Sequence, residues 1–309
     1  MKKIFLLFTA AALSAGMVFA QDINQATENY NNGAMELNMG NNDAAITYFQ
    51  TALEMAEALG EEGAEVAANC RNIIPAVYLS SAKEMIKAEQ YDSAVEQLKK
   101  AIEAAGQYET PEVADDANEL MPQVYVSKGN GFLTAKSFPE AEAAYKQALE
   151  IDATNGMAYF RLGQVLASQN KVAEAEAAYV QAAANGQEKN ANKQLSTMFV
   201  KLAQAASKAK KYQETIDYAA KSNQYLENAN AYRFAASASQ QLGKNDDCIA
   251  NYVKYLELSP NAKDAAGVKF TIAALYQQGG DKAKAKEYYQ MVSTDPQYGP
   301  SAQEQLKTL

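Results

Sequence analysis

From residue 21 onward the apolar positions fall at helical spacing, and no stretch sustains the alternating Val/Ile/Thr pattern of a sheet. One short signature recurs: a small residue, a large apolar residue four places on, and a small residue three beyond it. Ala141, Tyr145 and Ala148 form one copy, and Ala175, Tyr179 and Ala182 another. Positions three and four apart share a helical face, so each copy marks a helix with a close-contact stripe. A second helix precedes each one, carrying Tyr125, Gly129 and Phe132 in the first case and Tyr159, Gly163 and Leu166 in the second. The pattern therefore predicts helix pairs. A single pair cannot bury its own stripe, so neighbours must stack into a continuous core.

The two copies lie 34 residues apart, and the same frame finds five more. Gly33 goes with Ala45, Phe49 and Ala52; Tyr78 and Ala82 go with Ala94, Leu98 and Ala101. Phe199 and Ala203 go with Thr215, Ala219 and Ser222, a degenerate copy. Tyr232 and Ala236 go with Cys248, Tyr252 and Tyr255, and Ala273 goes with Ala285 and Tyr289. This resembles the tetratricopeptide repeat (TPR), whose unit has an aromatic and a Gly or Ala in helix A and A-x3-[FY]-x2-A in helix B. The resemblance implies an all-α fold: an α-solenoid of about seven hairpins forming a right-handed superhelix, with residues 301–309 as a C-terminal capping helix.

The copies are unevenly spaced. The small helix-B residues at 45, 94, 141, 175, 215, 248 and 285 leave intervals of 49, 47, 34, 40, 33 and 37. The first two intervals carry extra helix-prone sequence, and in both a proline follows it: NIIPAVYLS at 72–80 and ELMPQVYVS at 119–127. Thr110 followed by Pro111 is a good helix start. The expectation is that helices A of the N-terminal half are longer by about three turns, kinked or broken at Pro75 and Pro122. The alternative is a separate short helix before each proline.

Residues 1–20 read as a leader: Lys2 and Lys3, an apolar run, then small residues up to Ala20. The expected domains are 1–20 as signal peptide, 21–152 as N-terminal repeats with extended helices, and 153–309 as C-terminal repeats and cap. Cleavage after Ala20 would make the protein exported and periplasmic, with envelope association open. The remaining chain carries 26 basic and 37 acidic residues, a net charge of −11. That balance disfavours nucleic acid and anionic membranes as partners.

Histidine is absent, which removes the commonest general base and metal ligand. The two cysteines, Cys70 and Cys248, sit four repeats apart, so no intramolecular disulfide is expected. Adjacent carboxylates such as Glu61 and Glu62 read as solvated helix surface. No enzyme activity, cofactor or metal is expected. The TPR resemblance implies that helices A line a concave face. Its projection gives Tyr30, Asn31, Lys83, Asn130, Phe160, Arg161, Gln164, Lys201, Gln204, Arg233 and Phe270. Of these, Asn130, Arg161, Gln164, Lys201 and Gln204 would form a polar, locally basic strip able to hold an extended peptide. Phe160 and Arg233 complete the expected binding set. The expected function is a non-catalytic protein or peptide interaction module. The alternatives are a self-associating envelope scaffold using its convex surface and a small-ligand or glycan-binding accessory.

Overall fold

The computed structural model describes residues 19–309. The expected leader lies outside the described residues, except for the backbone of Phe19 and Ala20, with which the first helix opens. The chain folds into two compact units, Met1–Gln169 and Asn170–Leu309.

The first unit holds α1 (Phe19–Asn38), α2 (Asn42–Ala58), α3 (Ala64–Lys87), α4 (Tyr91–Gln107), α5 (Pro111–Thr134), α6 (Phe138–Ile151) and α7 (Gly156–Ser168). The second holds α8 (Val172–Ala182), α9 (Glu188–Lys208), α10 (Tyr212–Tyr225), α11 (Ala229–Gln241), α12 (Asn245–Leu258), α13 (Ala265–Gln278), α14 (Lys282–Met291) and α15 (Gly299–Leu306). Within each unit, helices adjacent in sequence pack on one another, as in an α-solenoid. There is no strand among the described residues. The fold is all-α, as the repeat pattern predicts.

The small helix-B residues do the work assigned to them. Ala45, Ala94, Ala141, Ala175, Thr215, Cys248 and Ala285 are all fully buried. Of the residues four places on, Phe49, Leu98, Tyr145, Tyr179, Ala219 and Tyr289 are also buried, while Tyr252 is part-buried. Cys248 thus takes the place of an alanine in the core. Cys70 packs among Tyr30, Val66 and Ile74, and both thiols are free. The capping helix is α15, which packs on α14 and buries Ala302 in a cluster with Ala273, Ala285 and Tyr289.

Each A–B turn has three residues, and its middle residue has positive φ: Gly40, Glu89, Lys136, Asn170, Lys210, Gly243 and Gly280. In the turns at Gly40, Glu89, Lys136, Lys210, Gly243 and Gly280 the amide after it donates back to a carbonyl five residues earlier, for instance Gln90 to Met85 and Ser137 to Phe132, both at 2.9 Å. This Schellman-type closure satisfies the last helical carbonyls and reverses the chain tightly.

The long repeats are explained by helix length, with a correction. α3 and α5 each have 24 residues against 13 in α7, and both run unbroken through Pro75 and Pro122. No break occurs at either proline; a short 3-10 helix at Gly60–Gly63 precedes α3, but the extension itself is continuous with the rest of the helix. Helix B also contributes, with 17 residues in α2 and α4 against 14 in α6. The extensions are held because their apolar faces are buried. Val66, Ala67, Cys70 and Ile74 of α3 pack against α1 and α2, and Ala117 and Met121 of α5 against α3 and α4. A third extension was not anticipated: α9 has 21 residues. It is set off from α8 by Asn185 (φ −111°) and Gly186 (φ 86°), where the helical path is interrupted.

Candidate functional site

In the first unit, two hydrogen-bonded pairs lie on three successive helices, Asn130 with Tyr145 and Arg161 with Gln164, and the Arg161 charge is felt at Tyr145. Gly129 of α5 has no side chain where Tyr145 of α6 lies; an added Cβ would sit 2.6 Å from the ring. That close approach lets the Tyr145 hydroxyl donate to Asn130 Oδ1 at 2.8 Å. Burial pushes the Tyr145 hydroxyl up to about 12, with the Arg161 charge acting the other way, so Tyr145 stays a neutral donor. On α7, whose first turn is capped by Asn155 accepting from the Ala158 amide, Arg161 Nη1 donates to Gln164 Oε1 at 2.9 Å. Arg161 Nε is buried and has no hydrogen-bond partner. Asn130, Phe160, Arg161 and Gln164 are all part-buried.

This geometry sharpens the expected chemistry. Both amide oxygens, of Asn130 and Gln164, are already accepting. What remains is chiefly the Asn130 and Gln164 NH2 groups and the rest of the Arg161 guanidinium, all donors. The cluster is richer in donors than in acceptors, since each amide oxygen keeps one lone pair, and it suits peptide carbonyls or a carboxylate best.

In the second unit the expected residues differ among themselves. Lys201 and Gln204 of α9 are exposed. Arg233 of α11 is engaged: its Nη1 lies 3.4 Å from Asp264 Oδ2 and its guanidinium sits over the Phe234 ring at 5.5 Å. Asp264 Oδ1 also accepts from the Tyr255 hydroxyl at 2.5 Å. Arg233 therefore helps fasten α11 and α12 to the start of α13. Among the other projected positions, Tyr30 is in the core, Phe270 packs on Tyr289 and Tyr298, and Lys83 lies 3.5 Å from Asp116.

Some polar groups went unnoticed in the sequence. Glu176 accepts from Lys221 at 2.8 Å and from the Tyr225 hydroxyl at 2.8 Å, joining α8 to α10 over 45 residues or more. More telling is α9. Lys189, Lys193, Lys201 and Lys208 are exposed and make no ion pair among the described residues. The i, i+4 spacing of Lys189 and Lys193 was a usable signal, missed because those residues were not placed on a helix A.

Two clefts of about 540 and 410 Å³ lie beside A–B turns in the first unit, one lined by Asn42, Ser81 and Glu84, the other by Asp92, Lys128 and Phe132. None of the expected binding residues lines either. Among the described residues no three or more of His, Cys, Asp and Glu are placed to hold a metal. No described helix is long and apolar enough to cross a membrane.

Two segments match models of the tetratricopeptide repeat, residues 29–59 and 126–191. No curated protein matches the sequence. Solved structures with similarity include YrrB, described as a TPR protein with an unusual peptide-binding site, at 19% identity over 65% of this chain and 97% of that one, TM-score 0.34. The pilF protein of Pseudomonas aeruginosa is 19% identical over 62% of this chain and 92% of its own, TM-score 0.29. The TPR domain of P58(IPK) is 19% identical over 76% of this chain and 64% of its own, TM-score 0.34.

Proposed function

The chain is a tetratricopeptide-repeat protein, and on that premise we propose that it is a non-catalytic scaffold, exported from the cytoplasm, that binds a polypeptide segment through its helices A. The observation that carries this reading is the donor-rich group of Asn130, Arg161 and Gln164, whose amide oxygens each already accept one internal hydrogen bond. An extended segment offers the complement, a row of carbonyl oxygens and a terminal carboxylate. Export rests on the leader-like residues 1–20.

The experiment is a photo-crosslinker at Phe160 in cells that make the protein, followed by binding of the captured polypeptide to mature protein with its N-terminus read by mass spectrometry. The expected N-terminus is Gln21. Arg161→Ala should weaken binding by roughly tenfold or more, the worth of one charge-assisted hydrogen bond. Binding that is unchanged in Arg161→Ala and in Gln164→Ala moves the partner off this cluster.

A further inference from the structure

We propose that copies of this chain associate head to tail, the lysine face of α9 in one copy docking on the acidic face of α5 in the next. The starting observation is a charge asymmetry. Residues 1–169 carry 11 basic and 23 acidic side chains, whereas residues 170–309 carry 17 and 14. An acidic chain thus has one unit with a basic excess.

The excess is concentrated. At 100° per residue, Lys189, Lys193, Lys201 and Lys208 fall on an arc of roughly 120°, with Thr197 and Gln204 between them. The arc lies opposite the buried stripe of Ala191, Leu195, Phe199 and Ala206. The sole acid on α9 is Glu188, at its first residue. With a rise of about 1.5 Å per residue the four ammonium groups are spread along some 28 Å of helix.

The complement is on the extension of α5. Glu112, Asp115, Asp116 and Glu119 are exposed and fall on an arc of roughly 100° by the same geometry. Only Asp116 makes an ion pair among the described residues, with Lys83 at 3.5 Å. The α5 acids lie three and four residues apart and Lys189 and Lys193 lie four apart, so these two lysines each meet an acid in one register, while Lys201 and Lys208 extend the basic face beyond the acidic one. Two copies are both negative overall, but at physiological salt the Debye length is about 8 Å, so the facing patches outweigh the distant charge. The contact uses different surfaces on the two partners, so it propagates into chains or closes into rings.

The test is the mass of the purified protein by sedimentation velocity, across a concentration series at about 50 mM and about 1 M salt. The expected result is a mass that rises with concentration at low salt and stays that of one chain at high salt. Lys189→Glu with Lys193→Glu and Lys201→Glu should abolish the rise, as should Glu112→Lys with Asp115→Lys and Glu119→Lys. Mixing the two variants, or placing both sets of changes in one chain, should restore it. Circular dichroism checks that each variant keeps its helices. Wild-type protein of one-chain mass at every concentration overturns the proposal. So does association that survives the α9 reversal, or variants that fail to recover on mixing. If the lysine face instead serves a foreign acidic polypeptide, a poly-glutamate probe will bind wild type while the mass stays that of one chain. The proposal stands apart from the donor cluster, since Arg161→Ala leaves the α5 and α9 faces intact.

Discussion

At the scale of the residue, the backbone of the A–B turns carries more information than the side chains in them. Among the described residues five non-glycine residues adopt positive φ, and Glu89, Lys136 and Lys210 do so at exposed turn positions where Gly40, Gly243 and Gly280 serve elsewhere. The left-handed conformation costs an L-residue about 1 kcal/mol that glycine does not pay. Lys136→Gly and Lys210→Gly should therefore each raise the thermal midpoint, by an amount corresponding to no more than about 1 kcal/mol, because glycine also frees the unfolded chain. A lowered midpoint in both would show that the turn geometry is held by something besides these dihedrals. The repeat frame gave no access to this, since the closure is made by main-chain amides and carbonyls. Burial, by contrast, was readable residue by residue: the small helix-B position recurs as Ala, Thr or Cys and is closed to solvent in every copy.

At the scale of the element, the proline-containing helices are the informative case. Pro75 and Pro122 each remove an amide, leaving the carbonyls of Arg71 and Asn118 without a helical donor, yet α3 and α5 continue. Each extension buries an apolar stripe, and that tertiary gain offsets the local cost. Pro75→Ala and Pro122→Ala should keep the helical content and stabilise the protein by up to about 2 kcal/mol. That is less than the roughly 3 kcal/mol of a helix-interior proline, because both rings are buried and their packing is lost. Urea titration checks this; a lower midpoint would mean the prolines are set by packing. The excess of residues in the first two intervals was legible in sequence, but its division between helix A and helix B was not. Spacing between markers counts residues without saying on which side of the connecting loop they fall. The site was legible in part for a related reason. Arg161 and Gln164 were named from their place in the frame, but their mutual bond depends on rotamers that spacing does not encode.

At the scale of the whole molecule, the ionisable groups in the interior make stability depend on pH at the alkaline end. Burial pushes Cys70 up to about 12 and Cys248 up to about 11 from an ordinary 9.0. Tyr145, Tyr179, Tyr225 and Tyr255 rise to about 12 from 10.0, burial being the main cause; carboxylates beside Tyr225 and Tyr255 add to it. The folded state thus holds these protons where the unfolded chain releases them. Their contribution is complete below pH 9 and is lost as pH rises through about 9 to 12. The thermal midpoint, followed by circular dichroism, should be level from pH 7 to about 9 and fall steeply above it. A midpoint level to pH 11 would place these groups in contact with water. The same burial should keep both thiols unmodified by alkylating reagents in the native protein at about pH 8.

The uniformity of the A–B turns has one more consequence. Every turn within a hairpin has three residues, while the connections from one hairpin to the next vary from three residues at 226–228 to six at 259–264. Length has been tolerated at one kind of corner and refused at the other. A loop grafted between hairpins meets a joint that already varies, whereas one grafted within a hairpin must displace the closure that defines it. Growth of this architecture, natural or engineered, is open at alternate corners only.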